Sequence, residues 1–149
     1  MAASETKVLH KSHAGFYTGR KVIQDATAVA NTSDAIDIRR MEEVSLIVAT
    51  AAMDGRTFTV EIEVSDDGDN WMDYNMLINN LTNDAGDGTA GEEVGLTRIE
   101  TQTFTTNTRT IVGLDLKSIW APFIRIVVAR TVEGNAGTIS TILAYRERS

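Results

Sequence analysis

The stretch Arg56-Thr57-Phe58-Thr59-Val60-Glu61-Ile62-Glu63-Val64-Ser65-Asp66-Asp67-Gly68-Asp69-Asn70-Trp71-Met72-Asp73-Tyr74 decides the fold class. Phe58, Val60, Ile62 and Val64 alternate with Thr57, Thr59, Glu61, Glu63 and Ser65. Successive side chains of an extended chain point to opposite faces, so this period of two describes a strand with one face in a core and the other in water. Asp66 to Asp69 supply turn chemistry, and Trp71 and Tyr74 open a following strand, giving a hairpin.

Working outward, the same pattern recurs over most of the chain. Strands are expected at residues 20–24, 35–41, 44–53, 56–65 and 71–78, then at 98–106, 109–116, 122–131 and 137–146. Val, Ile and Thr dominate these segments, and branching at Cβ suits a pleated surface better than a helix. The best helical window, 25–34, is short and lacks a good cap. Short strands at regular spacing, separated by Gly, Asp and Asn, predict an all-β chain: an antiparallel two-sheet sandwich of jelly-roll type. Phe58, Val60, Ile62, Val64, Ile124, Ile126 and Val128 are its expected inward residues. Met53-Asp54-Gly55-Arg56 reads as a tight hairpin turn, because Asp-Gly is favoured where both central residues need positive φ. Residues 132–137 read as a second hairpin, joining 124–131 to 138–145.

Two segments lack this periodicity. Residues 1–19 are polar and rich in small side chains, so they read as an extended N-terminal arm preceding a single domain at 20–149. Residues 79–95 form a long polar loop, of a length that is usually functional, partner-bound or disordered. Neither has enough apolar surface to offset the roughly 1–2 kcal/mol per residue that ordering a backbone costs. Both are therefore expected to order against other chains.

Composition narrows the function. The 149 residues carry a net charge of −7, no cysteine and one proline, Pro122. One domain of this size buries a sizeable core. Without cysteine there is no disulfide framework, thiolate zinc site or cysteine nucleophile. A phosphate-binding surface needs a basic stripe, and the acidic balance argues against nucleic acid as a partner. No apolar run approaches the roughly 20 residues of a membrane span, and no signal-type apolar run follows Met1. A soluble protein made in a cytoplasm is the expectation.

Sites of chemistry are sparse. His10 and His13 form His-x-x-His, too little for a metal site without further ligands. Asp66, Asp67 and Asp69 cluster in one turn; such clusters can bind calcium, but Asx-rich turns form equally well without it. The glycine and acidic positions of residues 83–93 fall out of register with a calcium-binding EF-hand loop. No nucleophile elbow or phosphate-binding loop is present. Asn31-Thr32-Ser33 and Asn80-Leu81-Thr82 match the glycosylation sequon by chance, since no secretion leader is read. No catalytic, cofactor or metal site is expected, and the chain reads as a non-enzyme. Trp71, Tyr74 and Trp120 are the candidate partner or glycan contacts, with the core or a subunit interface as the plainer destination of these rings.

The run Thr59-Val60-Glu61-Ile62-Glu63-Val64-Ser65-Asp66-Asp67-Gly68-Asp69-Asn70-Trp71, with Pro122-Phe123-Ile124-Arg125-Ile126-Val127-Val128, resembles two sets of proteins. One is the discoidin-like and carbohydrate-binding jelly rolls, in which a strand, Ser-x-Asp-Gly-x-x-Trp and a later Arg-Ile strand recur. This chain lacks their N-terminal Trp-bearing segment and calcium loop. The other is a set of small tailed-bacteriophage virion proteins whose last strand is similar to Asn135-Ala136-Gly137-Thr138-Ile139-Ser140-Thr141-Ile142. The resemblance spans about residues 45–145, and its motifs specify a hairpin more than a function. The second likeness implies a head decoration or cement protein located in the virion. Its implied partners are sister subunits, with a trimer favoured, and the major capsid protein. A tail or baseplate component and a sugar-binding module are the alternatives.

Overall fold

The computed structural model describes residues 4–9, 16–74, 76–79, 96–114 and 121–148. Among these residues every regular element is a strand. In chain order they are β1 (Ser4–Leu9), β2 (Phe16–Thr27), β3 (Asn31–Thr32), β4 (Ile36–Asp37), β5 (Met41–Asp54), β6 (Thr57–Ser65) and β7 (Met72–Tyr74). Then follow β8 (Met76–Asn79), β9 (Leu96–Ile99), β10 (Thr101–Phe104), β11 (Thr108–Leu114), β12 (Phe123–Val132) and β13 (Ala136–Arg148). They form two antiparallel sheets. The wide sheet runs β1-β2-β13-β5-β11-β8-β9, and the narrow sheet runs β10-β6-β12-β3, with β4 also on β12 and β7 also on β6. The chain is an all-β, two-sheet antiparallel sandwich.

The core lies between the sheets. Phe58, Val60, Ile62 and Val64 of β6 and Ile124, Ile126 and Val128 of β12 are all buried, as their alternation requires. Leu46 and Val48 of β5 and Ile139 and Leu143 of β13 meet them from the wide sheet, and the four are fully buried. Each such Val or Ile contributes about 1.5–3 kcal/mol by leaving water, so these four strands supply most of what holds the sheets together.

One polar link crosses this apolar layer. Gln24 on β2 is 1% exposed, and its amide nitrogen donates to the Ile126 carbonyl at 3.0 Å and to Asn31 Oδ1 at 3.1 Å. The buried Thr141 hydroxyl on β13 donates to Gln24 Oε1 and accepts from the Gln24 backbone N–H at 3.2 Å. Both ends of the side-chain amide are thus satisfied, one from each sheet, and burial makes the set costly to break. Gln24→Leu keeps the volume but strands the Thr141 hydroxyl, and is expected to cost about 2 kcal/mol. A urea melt with unchanged slope and a lowered midpoint would show it.

Several sequence expectations change in the three-dimensional fold. The Asp54-Gly55 pair does not close a hairpin within a sheet, because β5 lies in the wide sheet and β6 in the narrow one. Gly55 has φ +73°, but Asp54 is not among the positive-φ residues, so the turn is a corner between sheets. Residues 132–137 make the partner corner, from β12 to β13. The corners dock on one another: the Asn135 N–H donates to the Asp54 carbonyl at 2.8 Å. Arg56 donates to the carbonyls of Glu133 at 2.6 Å and Gly137 at 2.7 Å.

The expected strand at 71–78 is divided between β7 in the narrow sheet and β8 in the wide one. That at 98–106 is likewise divided between β9 and β10 at Glu100. The expected strand at 35–41 shrinks to β4. The arm boundary at residue 20 falls inside β2, and β1 pairs with β2 from Ser4↔Val22 to Leu9↔Tyr17. Gly19 lies opposite Tyr145 of β13, whose ring occupies the space a Cβ would need. Within the described part of the arm, β1 is the edge strand of the wide sheet and residues 16–19 begin the strand beside it. Residues 1–3, 10–15, 80–95 and 115–120 carry the rest of the arm, His10, His13, most of the long loop and Trp120, and lie outside the described residues.

Candidate interaction face

The deciding hairpin forms as expected, with Val64↔Met72, Glu63↔Asp73 and Ile62↔Tyr74 paired across β6 and β7. Its turn is organised by one carboxylate. Asp67 Oδ1 accepts from the backbone N–H groups of Asp69 and Asn70, each at 2.8 Å, and from the Ser65 hydroxyl at 3.0 Å. Asp67 Oδ2 accepts from the Asn70 side chain at 2.6 Å. Gly68, at φ +83°, completes the turn, and its N–H donates to Ser65 Oγ at 2.8 Å. Asp67 is thus committed to its own loop, and among the described residues no three His, Asp or Glu side chains come together to hold a metal.

The donated hydrogen bonds, those from the Asn70 and Asp69 backbone first, hold the Asp67 carboxyl well below the usual carboxylate range. A depressed folded-state pKa contributes stability that is full above the ordinary value and lost as pH falls through the folded one. Asp67→Ala is therefore expected to lower the melting temperature at neutral pH. Its deficit should shrink steadily below about pH 4, the ordinary aspartate range. Paired melts of both proteins from pH 7 to pH 2 check this, and a pH-independent deficit would contradict it.

The three candidate aromatics part company. Tyr74 pairs with Ile62 on the inner face and is 5% exposed, so it is a core residue and offers no ring to a partner or sugar. Trp120 lies outside the described residues. Trp71 is half-buried at the end of the turn, and the Arg125 guanidinium stacks over its ring with 4.4 Å to the centroid. The same guanidinium donates from Nε to Glu63 Oε1 at 2.8 Å. Ring, cation and carboxylate thus form one constellation in which a face of Trp71 is already used. Arg125 was not a candidate from sequence, although its place opposite Glu63 follows once the β6–β12 register is known. Asn31, of the first sequon, is half-buried and accepts from Gln24; Asn80 lies outside the described residues.

Around this constellation the outer face of the narrow sheet is acidic. Asp73 sits beside Glu63, and Glu61 accepts from the Thr101 hydroxyl at 2.8 Å. Glu100 is held above the ordinary range, first by its hydrogen bond with Asp73 and then by the like charges of Asp73 and Glu61. At the far side Asp37 pairs with Arg39 at 2.6 Å, both exposed, and the Arg39 guanidinium lies 5.7 Å from the Phe123 ring centroid. An exposed pair of this kind contributes little to stability. Glu61, Glu63, Asp73 and Glu100 thus share this face with Arg125, which pairs with Glu63.

No protein-family model matches the sequence, and no curated protein matches it. Among solved structures the chain is similar to the crystal structure of the SPBc2 prophage-derived protein YomS, with 8% sequence identity and a TM-score of 0.51. The likeness covers 97% of this chain and 96% of that one, so the two share a fold along nearly their whole lengths.

Proposed function

We propose that this chain is a non-enzymatic structural protein of a bacteriophage particle, of the head decoration or cement type. One observation carries the phage reading: the fold is shared over 97% of this chain and 96% of a prophage-derived protein. Strand order supports the jelly-roll reading, since β2-β13-β5-β11 lie over β3/β4-β12-β6-β10. A jelly roll buries one face of each sheet and leaves two broad outer faces for neighbours. Of the carboxylates, Asp67 holds a turn, Glu63 a half-buried ion pair with Arg125, and Asp37 an exposed one with Arg39. The proposed location is the virion, with sister copies and the major capsid protein as partners.

A sugar-binding reading through Trp71 is weakened by the guanidinium stacked on its ring. Mass spectrometry of purified particles tests the proposal. A copy number comparable with that of the major capsid protein supports head decoration, a small fixed number indicates a tail component, and absence from particles overturns the reading.

A further inference from the structure

The outer face of the wide sheet differs from that of the narrow one. Val22, Ile142 and Ile47 stand directly opposite one another across β2, β13 and β5, and Ile111 of β11 continues the row beside Ile47. Leu46 and Val48 point into the core, so Ile47 and its partners lie on the other face, where Ile142 is 4% exposed beneath its neighbours and Val22 and Ile47 are half-buried. Ile111 is 65% exposed at the open end of this row. The flanking rows bring cations. Arg109 is opposite Ala49, Arg20 is opposite Ala144, and Arg146 is opposite Glu43, with which it pairs at 3.8 Å. In a chain of net charge −7 this is a locally basic, apolar-centred surface.

We infer that this face docks on the acidic outer face of the narrow sheet of a second copy of the chain, head to tail. Charge selects the pairing. Placing two wide-sheet faces together sets Arg20 and Arg109 against a face of their own sign, and placing two narrow-sheet faces together does the same for Glu61, Asp73 and Glu100. Like charges brought together across an interface cost several kcal/mol, whereas opposite patches attract and set register. In the mixed arrangement the crowded Asp73–Glu100 pair faces the arginines of the wide-sheet face. Because the two faces lie on opposite sides of one sandwich, the contact is heterologous, and its repetition gives a ring or a stack.

The test uses two variants. Ile111→Asp disables the wide-sheet face, and the double change Asp73→Lys with Glu100→Lys reverses charge at exposed positions of the other face. Sedimentation velocity at low salt should show wild-type self-association that rises with concentration and weakens with salt. Each variant alone should associate about tenfold more weakly or worse. An equimolar mixture should recover a dimer and nothing larger, because only one intact pair of faces remains. Arg109→Glu replaces Ile111→Asp if the latter does not give a wild-type melting curve. A monomeric wild type, a Lys variant that still self-associates, or a mixture that stays monomeric overturns the inference. Each of these results is compatible with particle association, so the proposed function is judged separately.

Discussion

Phe58→Ala should destabilise the protein by about 3–5 kcal/mol, the usual cost of emptying a fully buried aromatic site. Phe58 is 0% exposed and faces Phe104 across the β6–β10 ladder, with Arg130 of β12 on its other side. The neighbours cannot collapse into the gap, because both flanking strands are held by backbone ladders and Arg130 is tied to the Ala28 carbonyl at 3.1 Å. For a domain of this size each kcal/mol shifts the midpoint by about 2–4 °C, so the melting temperature should fall on the order of 10 °C. Thr59→Ala, next to it on the outer face, provides the control and should shift the midpoint little. A small shift for Phe58→Ala would mean that the core at this end is loosely packed.

That contrast between neighbours was legible in the sequence, and its reason is physical. Alternation is a local property, and a strand with one wet face must display it wherever it pairs. Hence the inward set of β6 and β12 could be named in full before any register was known. Which sheet a strand joins is a non-local property. Residues 71–78 alternate well enough to read as one strand, yet β7 and β8 belong to different sheets; the same holds for β9 and β10. Nothing in the periodicity marks the switch. The bulges are equally silent: Ala26 and Ala52 have φ of 47° and 53° without a glycine to announce them.

The candidate site shows the same division. Trp71 was named for its residue type, but its setting depends on Arg125, more than fifty positions away in sequence and stacked on it only through the β6–β12 pairing. Tyr74 is a candidate on the same grounds but lies in the core, because its pairing with Ile62 fixes its side. The outward row of Val22, Ile47, Ile111 and Ile142 could not be assembled from sequence at all. Each member sits in a strand with apolar residues at both parities, and only the ladder registers align the four.

Gly134→Ala should be as damaging as the loss of a core aromatic, at about 3 kcal/mol or more, although it adds a single methyl group to an exposed corner. Gly134 has φ +58°, and a Cβ there would fall on the carbonyl group of Gly55 and the backbone nitrogen of Arg56. Those atoms are main chain and cannot swing aside as a flexible side chain would. Separating them means parting the two corners, with loss of the hydrogen bond from Asn135 to Asp54 and of the reach of Arg56 to Glu133 and Gly137. Gly55→Ala gives the comparison that isolates this cause. Gly55 also has positive φ, at +73°, but a Cβ there would meet only the Gly134 Cα, at an ordinary 3.7 Å. It should therefore show only the left-handed strain of a non-glycine residue, about 1–2 kcal/mol. Thermal melts of the two variants should differ by several degrees in that order. Equal losses would mean that backbone conformation alone accounts for both glycines, and that the packing of corner on corner contributes nothing to the closure of this end of the sandwich.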